Sequence, residues 1–303
     1  MKIVTSGCKY IDIDAYGGII AYSYLLNLKG IPAKAVSTSP LNESITPTLL
    51  NLDIKLDKYE KSNDDEFIIV DVSNKDFFDD IVDENRIIEV IDHRTGFKDY
   101  WENILNNNAK IEFIGAAATL IFEEYEKNDL VSSMPPSIAI LLLAGILDNT
   151  LNLKAKLTTK RDIDACEKLL QIANISKDFA KEYFLECQNS IEIDLEKSIE
   201  NDTKVEKICD ILPEVFGQLA VWSKEFILNN KEIIYKTLGQ TNDDWMFNLI
   251  SLSDGKSYII ANSEEYKIKL EKLFNKLFEN DIMELDNVWL RKEIIKKARM
   301  VMQ

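Results

Sequence analysis

The sequence predicts an α/β fold, with a doubly wound and mostly parallel sheet in the first part and a smaller α+β domain behind it. Short apolar segments rich in β-branched residues alternate with helical patterns over the first half of the 303 residues, as in βαβ units. These segments lack strict polar–apolar alternation, as expected for parallel strands covered on both faces. Four apolar segments, one of them ending at the chain's single histidine, are followed by acidic residues. Ligands collect at strand ends in such sheets.

The individual elements follow from the spacing of apolar residues and from the residues that end each pattern. Gly30 and Pro32 end the first helical pattern, and the threonines at 158 and 159 followed by Asp162 open a later one. The segment 136–147 is almost wholly apolar and is expected at the centre of the domain. The predicted strands of the first half are 2–5, 33–37, 67–72 and 86–91, and the predicted helices are 15–28, 115–127 and 136–147.

A fall in hydrophobicity at 198–204 predicts the boundary between two domains. Helical patterns continue up to residue 195 before it. We therefore expect a first domain at 1–195 and a second at 203–303. The second mixes strands at 218–222, 246–251 and 257–261 with one amphipathic helix at 263–279.

Composition excludes several classes of function. The formal net charge of −16 argues against binding duplex nucleic acid, which needs lysine and arginine to neutralise phosphates. Small anionic substrates remain compatible with it, because local cations or a bound metal can reverse the potential at one site. The alternative interpretation is that the excess of acidic residues only keeps the protein soluble. Four cysteines without Cys-x-x-Cys spacing disfavour a zinc ribbon, a redox pair and a disulfide framework.

The chain shows no pattern for export or for a membrane. A strand pattern starts directly after Met1, so no signal peptide is expected. The longest apolar run, 138–147, is too short to span a bilayer. A cytoplasmic protein without a membrane partner is the prediction.

Acidic residues and the single histidine form a candidate metal site. Asp12 and Asp14 lie two residues apart between the first strand and helix. In a loop, that spacing lets both carboxylates bind one cation or each bind one of two, whereas a helix-capping turn would also explain it. Together with the later residues they give four carboxylates and one imidazole, a ligand set that suits hard divalent metals. Its members are Asp12, Asp14, Asp71, Asp148 and His93.

Four motifs follow one another along the first part of the chain: Asp12-x-Asp14, Asp71-Val-Ser, Asp92-His93-Arg94 and Gly145-Ile-Leu-Asp148-Asn-Thr. In this order they resemble the motifs of the DHH phosphoesterase superfamily. The segments 115–124 and 156–162 are typical of its branch of manganese-dependent inorganic pyrophosphatases and exopolyphosphatases, and the C-terminal part is similar to that branch's second domain, DHHA2. The DHHA2 marker Ser-Arg-Lys-Lys stands here as Leu290-Arg291-Lys292-Glu293, and the Gly-Gly-Gly-His signature of the RecJ and nanoRNase branch is absent.

The resemblance implies a site for two divalent cations, with manganese expected before magnesium, cobalt or zinc. Asp71 would bridge both ions, Asp14, His93 and Asp148 would complete one of them, and Asp12 and Cys8 would hold the other. Two cations about 3.5–4 Å apart can activate water and clamp phosphoryl oxygens.

The second domain would supply the phosphate-binding cations. Arg291 and Lys292, with Lys204 as a weaker match, are the residues implied by the resemblance, and closure of the two domains would assemble the site. The expected partner is a small phosphorylated or polyphosphate substrate, and a homodimer is compatible with the sequence.

Three positions of the first domain depart from the family pattern, in addition to Leu290 and Glu293 of the C-terminal marker. Cys8 stands where the pyrophosphatases have histidine: its thiolate could bind a softer metal, or it could be a small packed side chain. Arg94 replaces the second histidine of Asp-His-His, and it would hold phosphate, form a structural ion pair or lie exposed. Asn149 replaces a threonine, and Thr150 is expected to shift into that role. Asp92 is expected to accept a hydrogen bond from an imidazole or from a backbone donor.

Three functions fit these observations. The first is a metal-dependent hydrolase of phosphoanhydride bonds, in which Asp71, His93 and Arg94 act on the substrate. The second is a catalytically weakened homologue that binds one metal and a phosphorylated ligand or protein partner, which the changes at Cys8 and Arg94 favour. The third, an oligonucleotide phosphodiesterase, is disfavoured by the missing glycine-rich histidine motif.

Overall fold

The computed structural model describes residues 1–240 and 243–301, and the chain divides into two units, Met1–Tyr183 and Phe184–Gln303. The division falls inside helix α7, Phe179–Ile193. Hydrophobicity does not drop within this helix, so composition gives no signal there. The boundary predicted at 195–203 lies further along the chain and stays a prediction.

The first unit contains a five-stranded sheet in the order β2-β1-β3-β4-β5, with every neighbouring pair parallel. The predicted parallel α/β architecture is confirmed. Strand β5 was not predicted. The strands are β1 Lys2–Thr5, β2 Ala33–Ala35, β3 Glu66–Val70, β4 Ile87–Asp92 and β5 Ala109–Ile111.

Helix α1, Ile13–Leu28, lies between the sheet and helix α5. A Cβ at Gly17 would come within 2.9 Å of the Leu141 carbonyl oxygen, and one at Gly18 within 2.8 Å of Val70 Cγ1. The two glycines thus allow the close approach of α1 to α5 on one side and to β3 on the other. The remaining helices of this unit are α2 Pro47–Leu50, α3 Lys98–Leu105, α4 Ala117–Lys127, α5 Pro136–Asn149 and α6 Lys160–Ala173, followed by α7.

The second unit contains a mixed sheet in the order β10-β9-β8-β7-β6, in which only β7 and β8 pair in parallel. Every residue of β8 is buried, because apolar clusters cover both faces of the sheet. The α+β prediction for this region is confirmed. The elements are α8 Leu195–Asn201, β6 Thr203–Val205, β7 Val215–Val221, α9 Glu225–Gly239, β8 Trp245–Ser251, β9 Lys256–Ala261, α10 Glu264–Phe274, β10 Met283–Leu285 and α11 Arg291–Val301.

Helix content in the second unit exceeds the single amphipathic helix that was predicted. Helix α9 was missed although Phe226, Ile227, Ile234 and Leu238 are buried at helical spacing. The predicted helix at 263–279 ends earlier, at Phe274, because Asn275 adopts a left-handed conformation with φ 53°. Within residues 1–240 and 243–301, the longest apolar helices fall short of the length and hydropathy of a membrane span.

Candidate metal centre

Strand order creates a crevice at one edge of the first sheet. Strand β1 pairs with β2 on one side and with β3 on the other, so the connections leave in opposite directions at this point. Ligand sites in open α/β sheets form at such a switch point, beyond the carboxyl ends of the strands. Cys8 and Asp12 follow β1, Asp71 follows β3, and Asp92 ends β4 with His93 after it.

Asp14, Asp71 and His93 converge at this edge. One ligand atom of each lies within 4.8 Å of the others. His93 Nδ1 lies 3.2 Å from the Ile114 carbonyl oxygen, which can only accept, so Nδ1 carries the hydrogen. The other ring nitrogen, Nε2, lies 3.4 Å from Asp71 Oδ1. Two carboxylates and an oriented imidazole suit a divalent cation such as manganese.

Asp14 is fully buried and held by three donors. Its carboxylate accepts hydrogen bonds from the Ala117 and Ala118 amides at 2.8 and 2.7 Å, at the start of α4, and from the Asn149 side chain. Burial nevertheless raises its pKa to about 6, against the lowering influence of His93 and of the two amides. Without a cation, this carboxyl therefore keeps its proton in mildly acidic solution.

The loop that supplies these amides is fixed by a buried aspartate. Asp162 accepts hydrogen bonds from the Gly115 amide at 3.1 Å and from the Thr119 hydroxyl at 2.6 Å, and it also completes the capping box of α6 with Thr159. A Cβ at Gly115 would lie 2.6 Å from Asp162 Oδ2. The segments around 115–124 and 156–162, singled out in the sequence, thus meet at one carboxylate that positions the Asp14 donors.

Asp71 follows β3 with φ 60°, a left-handed conformation that aspartate tolerates better than most residues. It is 5% exposed. Its Oδ1 accepts a 2.8 Å hydrogen bond from Arg94 Nη2, which also contacts the Asp71 carbonyl oxygen. Burial raises the pKa of Asp71 well above its ordinary value, although Arg94 opposes this. A cation beside Asp71 would stabilise its ionised form.

Asp148 ends helix α5 close to the cluster but outside the group of three. Tyr183 donates to its Oδ1 at 2.9 Å. Burial raises the pKa of Asp148 to about 7; Asp12 and Asp14 raise it further and Tyr183 lowers it. The influence of Asp12 and Asp14 shows that the three carboxylates share one electrostatic environment. The role of Asp148 as a ligand stays a prediction.

Cys8, Asp12 and Arg94 form a second set of side chains near Asp71, which we call the Arg94 side. All four residues line a pocket of about 200 Å³. Asp12 caps α1, because its Oδ1 accepts the Ala15 amide at 3.0 Å, so the capping interpretation of Asp-x-Asp holds for its first residue. In the part of the chain that the structure describes, Asp14, Asp71 and His93 are the one compact ligand cluster. A second cluster around Cys8 and Asp12 is not formed there.

Arg94 forms ion pairs and is nevertheless accessible. Its Nε and its backbone amide each lie 3.2 Å from Asp92 Oδ1, and its side chain is 58% exposed. Asp92 therefore accepts from Arg94, including the expected backbone donor, while the imidazole of His93 is oriented by a carbonyl oxygen. The structure thus contains the ion pair that was one of the alternatives for Arg94. The exposed part of the side chain lines the pocket.

Thr150, directly after α5, makes a contact other than the expected one, and Tyr183 in α7 was not considered. Thr150 was expected to replace the threonine of the motif, but its hydroxyl donates to the Ile146 carbonyl oxygen at 2.5 Å. Asn149 contacts Asp14 instead, because the helix directs it toward α1. Tyr183 lies 35 residues from Asp148 in the sequence, and no local signal connects them.

The predicted phosphate-binding residues of the second unit separate into two groups. Arg291 is 12% exposed: its Nη1 donates to the Asp202 and Phe216 carbonyl oxygens at 2.7 and 2.8 Å, and Nη2 pairs with the Asp202 carboxylate. Lys204 and Lys292 instead share a groove of about 390 Å³. Arg291 thus stabilises the unit internally, whereas the two lysines are accessible.

A doubly wound sheet that gathers acids and an imidazole at its carboxyl edge defines an α/β protein with a candidate ligand site at the strand ends. Residues 2–146 match the DHH family, N-terminal domain. Over nearly the whole chain there is similarity to proteins named manganese-dependent inorganic pyrophosphatase. The one from Methanocaldococcus jannaschii is 28% identical, covering 95% of this chain and 94% of its own.

The chain is also similar to another curated protein and to two solved structures. A Lactobacillus gasseri protein named probable manganese-dependent inorganic pyrophosphatase is 26% identical, covering 93% of this chain and 92% of its own. The fold matches a Methanococcus jannaschii structure assigned to the family II inorganic pyrophosphatases, with a TM-score of 0.61 at 23% identity over 99% of this chain and 100% of the other. An exopolyphosphatase-related protein from Bacteroides fragilis has a TM-score of 0.52 at 15% identity, covering 99% and 90%.

Proposed function

We propose that the chain is a divalent-metal-dependent hydrolase of phosphoanhydride bonds, with pyrophosphate or a polyphosphate as substrate and manganese as the metal. The observation that carries this proposal is the convergence of Asp14, Asp71 and His93 within 4.8 Å at the switch point of the sheet. The names of relatives that cover more than nine tenths of the chain support both the metal and pyrophosphate.

The residues of the cluster would hold the cation and leave Arg94 for the substrate. A divalent cation in such a site lowers the pKa of a coordinated water and neutralises charge on phosphoryl oxygens. Asp14 and Asp71 contribute carboxylates whose raised pKa values reflect burial, and His93 presents Nε2. The exposed part of the Arg94 guanidinium can donate to a phosphoryl oxygen, but it cannot protonate a leaving group because its pKa exceeds about 12.

Arg94 stands in place of the second histidine of Asp-His-His, and this replacement affects the hydrolysis of different substrates unequally. A phosphate leaving group, as in pyrophosphate or polyphosphate, is far less basic than an alkoxide and depends less on protonation during bond cleavage. Stabilisation of charge on the transferred phosphoryl group then contributes most to catalysis. Phosphoanhydrides therefore fit this site better than phosphate esters.

The groove in the second unit supports binding of the anionic substrate. Lys292, Lys296 and Arg299 of α11 line it together with Lys204 of β6, against the single acid Glu206. Lys204 and Lys292 are the proposed phosphate contacts, and the resemblance adds Arg291 despite its bond to Asp202. A concentration of cations on a chain of net charge −16 attracts phosphate locally.

A weakened homologue is the second candidate, and one specific observation favours it. Arg94 already binds Asp71 at 2.8 Å, and the side chain at position 8 is a thiol. In that case the chain would bind one cation and a phosphorylated ligand with little turnover.

Phosphate release separates the two candidates. The purified chain is assayed with pyrophosphate, tripolyphosphate, long-chain polyphosphate and an aryl phosphate, each with manganese, magnesium, cobalt or zinc. Asp71→Ala provides the inactive control, and Asp80→Asn, at an exposed acid of the same unit, is the matched surface substitution. We expect release from phosphoanhydrides with manganese in the wild type and in Asp80→Asn. Rates equal to those of Asp71→Ala with every metal and substrate would refute the hydrolase.

A further inference from the structure

The pocket beside Asp71 holds a fixed positive charge, the Arg94 guanidinium, with Nη2 2.8 Å from Asp71 Oδ1. We propose that the chain binds a single divalent cation at Asp14, Asp71 and His93, and that the Arg94 guanidinium takes the place of a second cation beside Asp71. This inference rests on the proposed function. It specifies how many ions the same site binds.

Arg94 is anchored on two buried carboxylates. Nη2 lies 2.8 Å from Asp71 Oδ1, and Nε lies 3.2 Å from Asp92 Oδ1. Asp71 and Asp92 are 5% and 1% exposed. Withdrawal of the guanidinium would leave both buried acids without this charged partner, which is costly. The position beside Asp71 is therefore held by Arg94 and not open to a competing ion.

The groups that would bind a second ion are too few on this side. Asp12 uses Oδ1 to cap α1, and Cys8 offers a thiol, which prefers softer ions than manganese or magnesium. Among residues 1–240 and 243–301, one group of at least three potential ligands is compact, and it includes neither Asp12 nor Cys8. A second cation would thus depend on Asp71 and one partly committed carboxylate.

Electrostatics also opposes a second ion. Arg94 is charged at every working pH, so another cation at Asp71 would lie beside a permanent like charge. The guanidinium cannot be neutralised by losing a proton, as an imidazole can. One cation at the cluster and the Arg94 guanidinium, 2.8 Å from Asp71 Oδ1, would together supply two positive groups beside Asp71.

The same geometry assigns a task to the exposed part of Arg94. The side chain lines the pocket with Cys8 and Asp12 while it remains 58% exposed. Its remaining N–H groups can bind phosphoryl oxygens in the planar geometry that guanidinium favours. Arg94 would thus contribute, with one fixed charge, the substrate contact that a second ion otherwise makes.

The number of manganese ions bound per chain tests the single-ion proposal independently of catalytic activity. Manganese per chain is measured by equilibrium dialysis with elemental analysis, and the electron paramagnetic resonance spectrum separates isolated from spin-coupled ions. We expect one isolated ion in the wild type and in Arg94→Lys, and two coupled ions in Arg94→His. Arg161→His is the matched control, because Arg161 pairs with Glu112 and Glu123 on the surface of the same unit, and it should keep one ion.

The outcomes separate the assignment from the function on which it rests. Two coupled ions in the wild type would overturn the single-ion assignment and leave the hydrolase intact. One ion in an Arg94→His protein with wild-type circular dichroism would overturn the role of Arg94. No bound ion in the wild type or in Arg94→His would overturn the proposed function itself. Should Arg94→His not fold, the wild-type count and spectrum still decide between one ion and two.

Discussion

Two sets of side chains near Asp71, the His93 side with Asp14 and the Arg94 side with Asp12 and Cys8, differ in how they are held. The His93 side is buried and preorganised: Asp14 has three hydrogen-bond donors, and a carbonyl oxygen orients the imidazole. The Arg94 side is accessible, and an arginine and a helix-capping aspartate occupy it. The difference teaches that ligand type alone does not define a metal site, because a carboxylate already bound to a guanidinium or an amide is less available to an ion.

The largest expected effect compares one residue from each side. His93→Ala removes a ligand from the preorganised cluster and should weaken manganese binding by about 100-fold or more. Cys8→Ala removes a side chain that lies outside this cluster and should change affinity less than about threefold. Isothermal titration calorimetry of both variants gives the comparison. Equal losses would show that the two sides contribute alike.

The pH dependence of metal affinity tests the buried acids. The pKa of Asp14 is raised to about 6 and that of Asp148 to about 7, so a binding cation must displace protons below these values. We expect affinity to rise about tenfold per pH unit for each proton released between pH 5 and 7. Calorimetry in two buffers of different ionisation enthalpy counts the protons. Affinity that stays constant from pH 5 to 8 would contradict the raised pKa values.

The same shifts give a sign for the stability of the metal-free protein. Since both acids have a higher pKa in the folded state than in the unfolded chain, their contribution to stability is complete below about pH 4 and is lost as the pH rises through 6 to 7. Saturating manganese should reverse this trend, because the cation favours the ionised carboxylates. Urea unfolding at pH 5.5 and 7.5, with and without manganese, measures the reversal.

Gly115→Ala should damage the preorganised side from a distance. The added Cβ would lie 2.6 Å from Asp162 Oδ2 and from Thr150 Cγ2, so the loop that leads to Ala117 and Ala118 must shift. We expect a loss of about 1–3 kcal/mol in the free energy of unfolding and weaker manganese binding. Gly239→Ala, where a Cβ meets nothing within 4 Å, is the control. Unchanged stability in Gly115→Ala would contradict the described contact.

Tyr183→Phe should give a smaller effect that depends on pH. The hydroxyl lowers the pKa of Asp148, so its removal should raise that pKa and weaken manganese binding a few-fold at pH 7, with recovery at pH 8.5. Tyr125→Phe also removes a buried hydroxyl, bonded to the Ala21 carbonyl oxygen at 2.6 Å. Both changes should cost about 0.5–1.5 kcal/mol of stability, but only the first should alter the pH profile of binding.

Cys8→His should have the smallest effect on metal content. A better ligand at position 8 still faces Arg94 across the pocket, so we expect the variant to bind one ion. Two ions in Cys8→His would show that ligand shortage, not Arg94, limits the site.

The sequence predicted the sheet of the first unit and the residues of its cluster for identifiable reasons. Parallel strands have buried, β-branched segments, and the acids that follow them fall at one edge whatever the exact packing. Three of the four strands with only three residues, β5, β6 and β10, were not predicted. Helix α9 had the right apolar spacing, and its omission was an error of interpretation.

Contacts between distant residues explain most of what the sequence did not predict about the site. The partner of Arg291 is Asp202, 89 residues away, and Tyr183 reaches Asp148 from another helix. Whether Asn149 or Thr150 faces Asp14 depends on the final turn of α5, since one residue changes direction by about 100° around a helix. Side-chain direction at helix ends is therefore decided by packing.

The donors that hold Asp14 have a consequence for how the protein matures in the cell. The carboxylate comes from the start of the chain, whereas its partners are the amides of 117 and 118 and the side chain of Asn149. During synthesis the first acids leave the ribosome long before these partners exist. The nascent chain therefore cannot assemble these contacts of Asp14 until at least residue 149 has emerged and α4 and α5 have packed on α1. The proposed cation would bind only after that step.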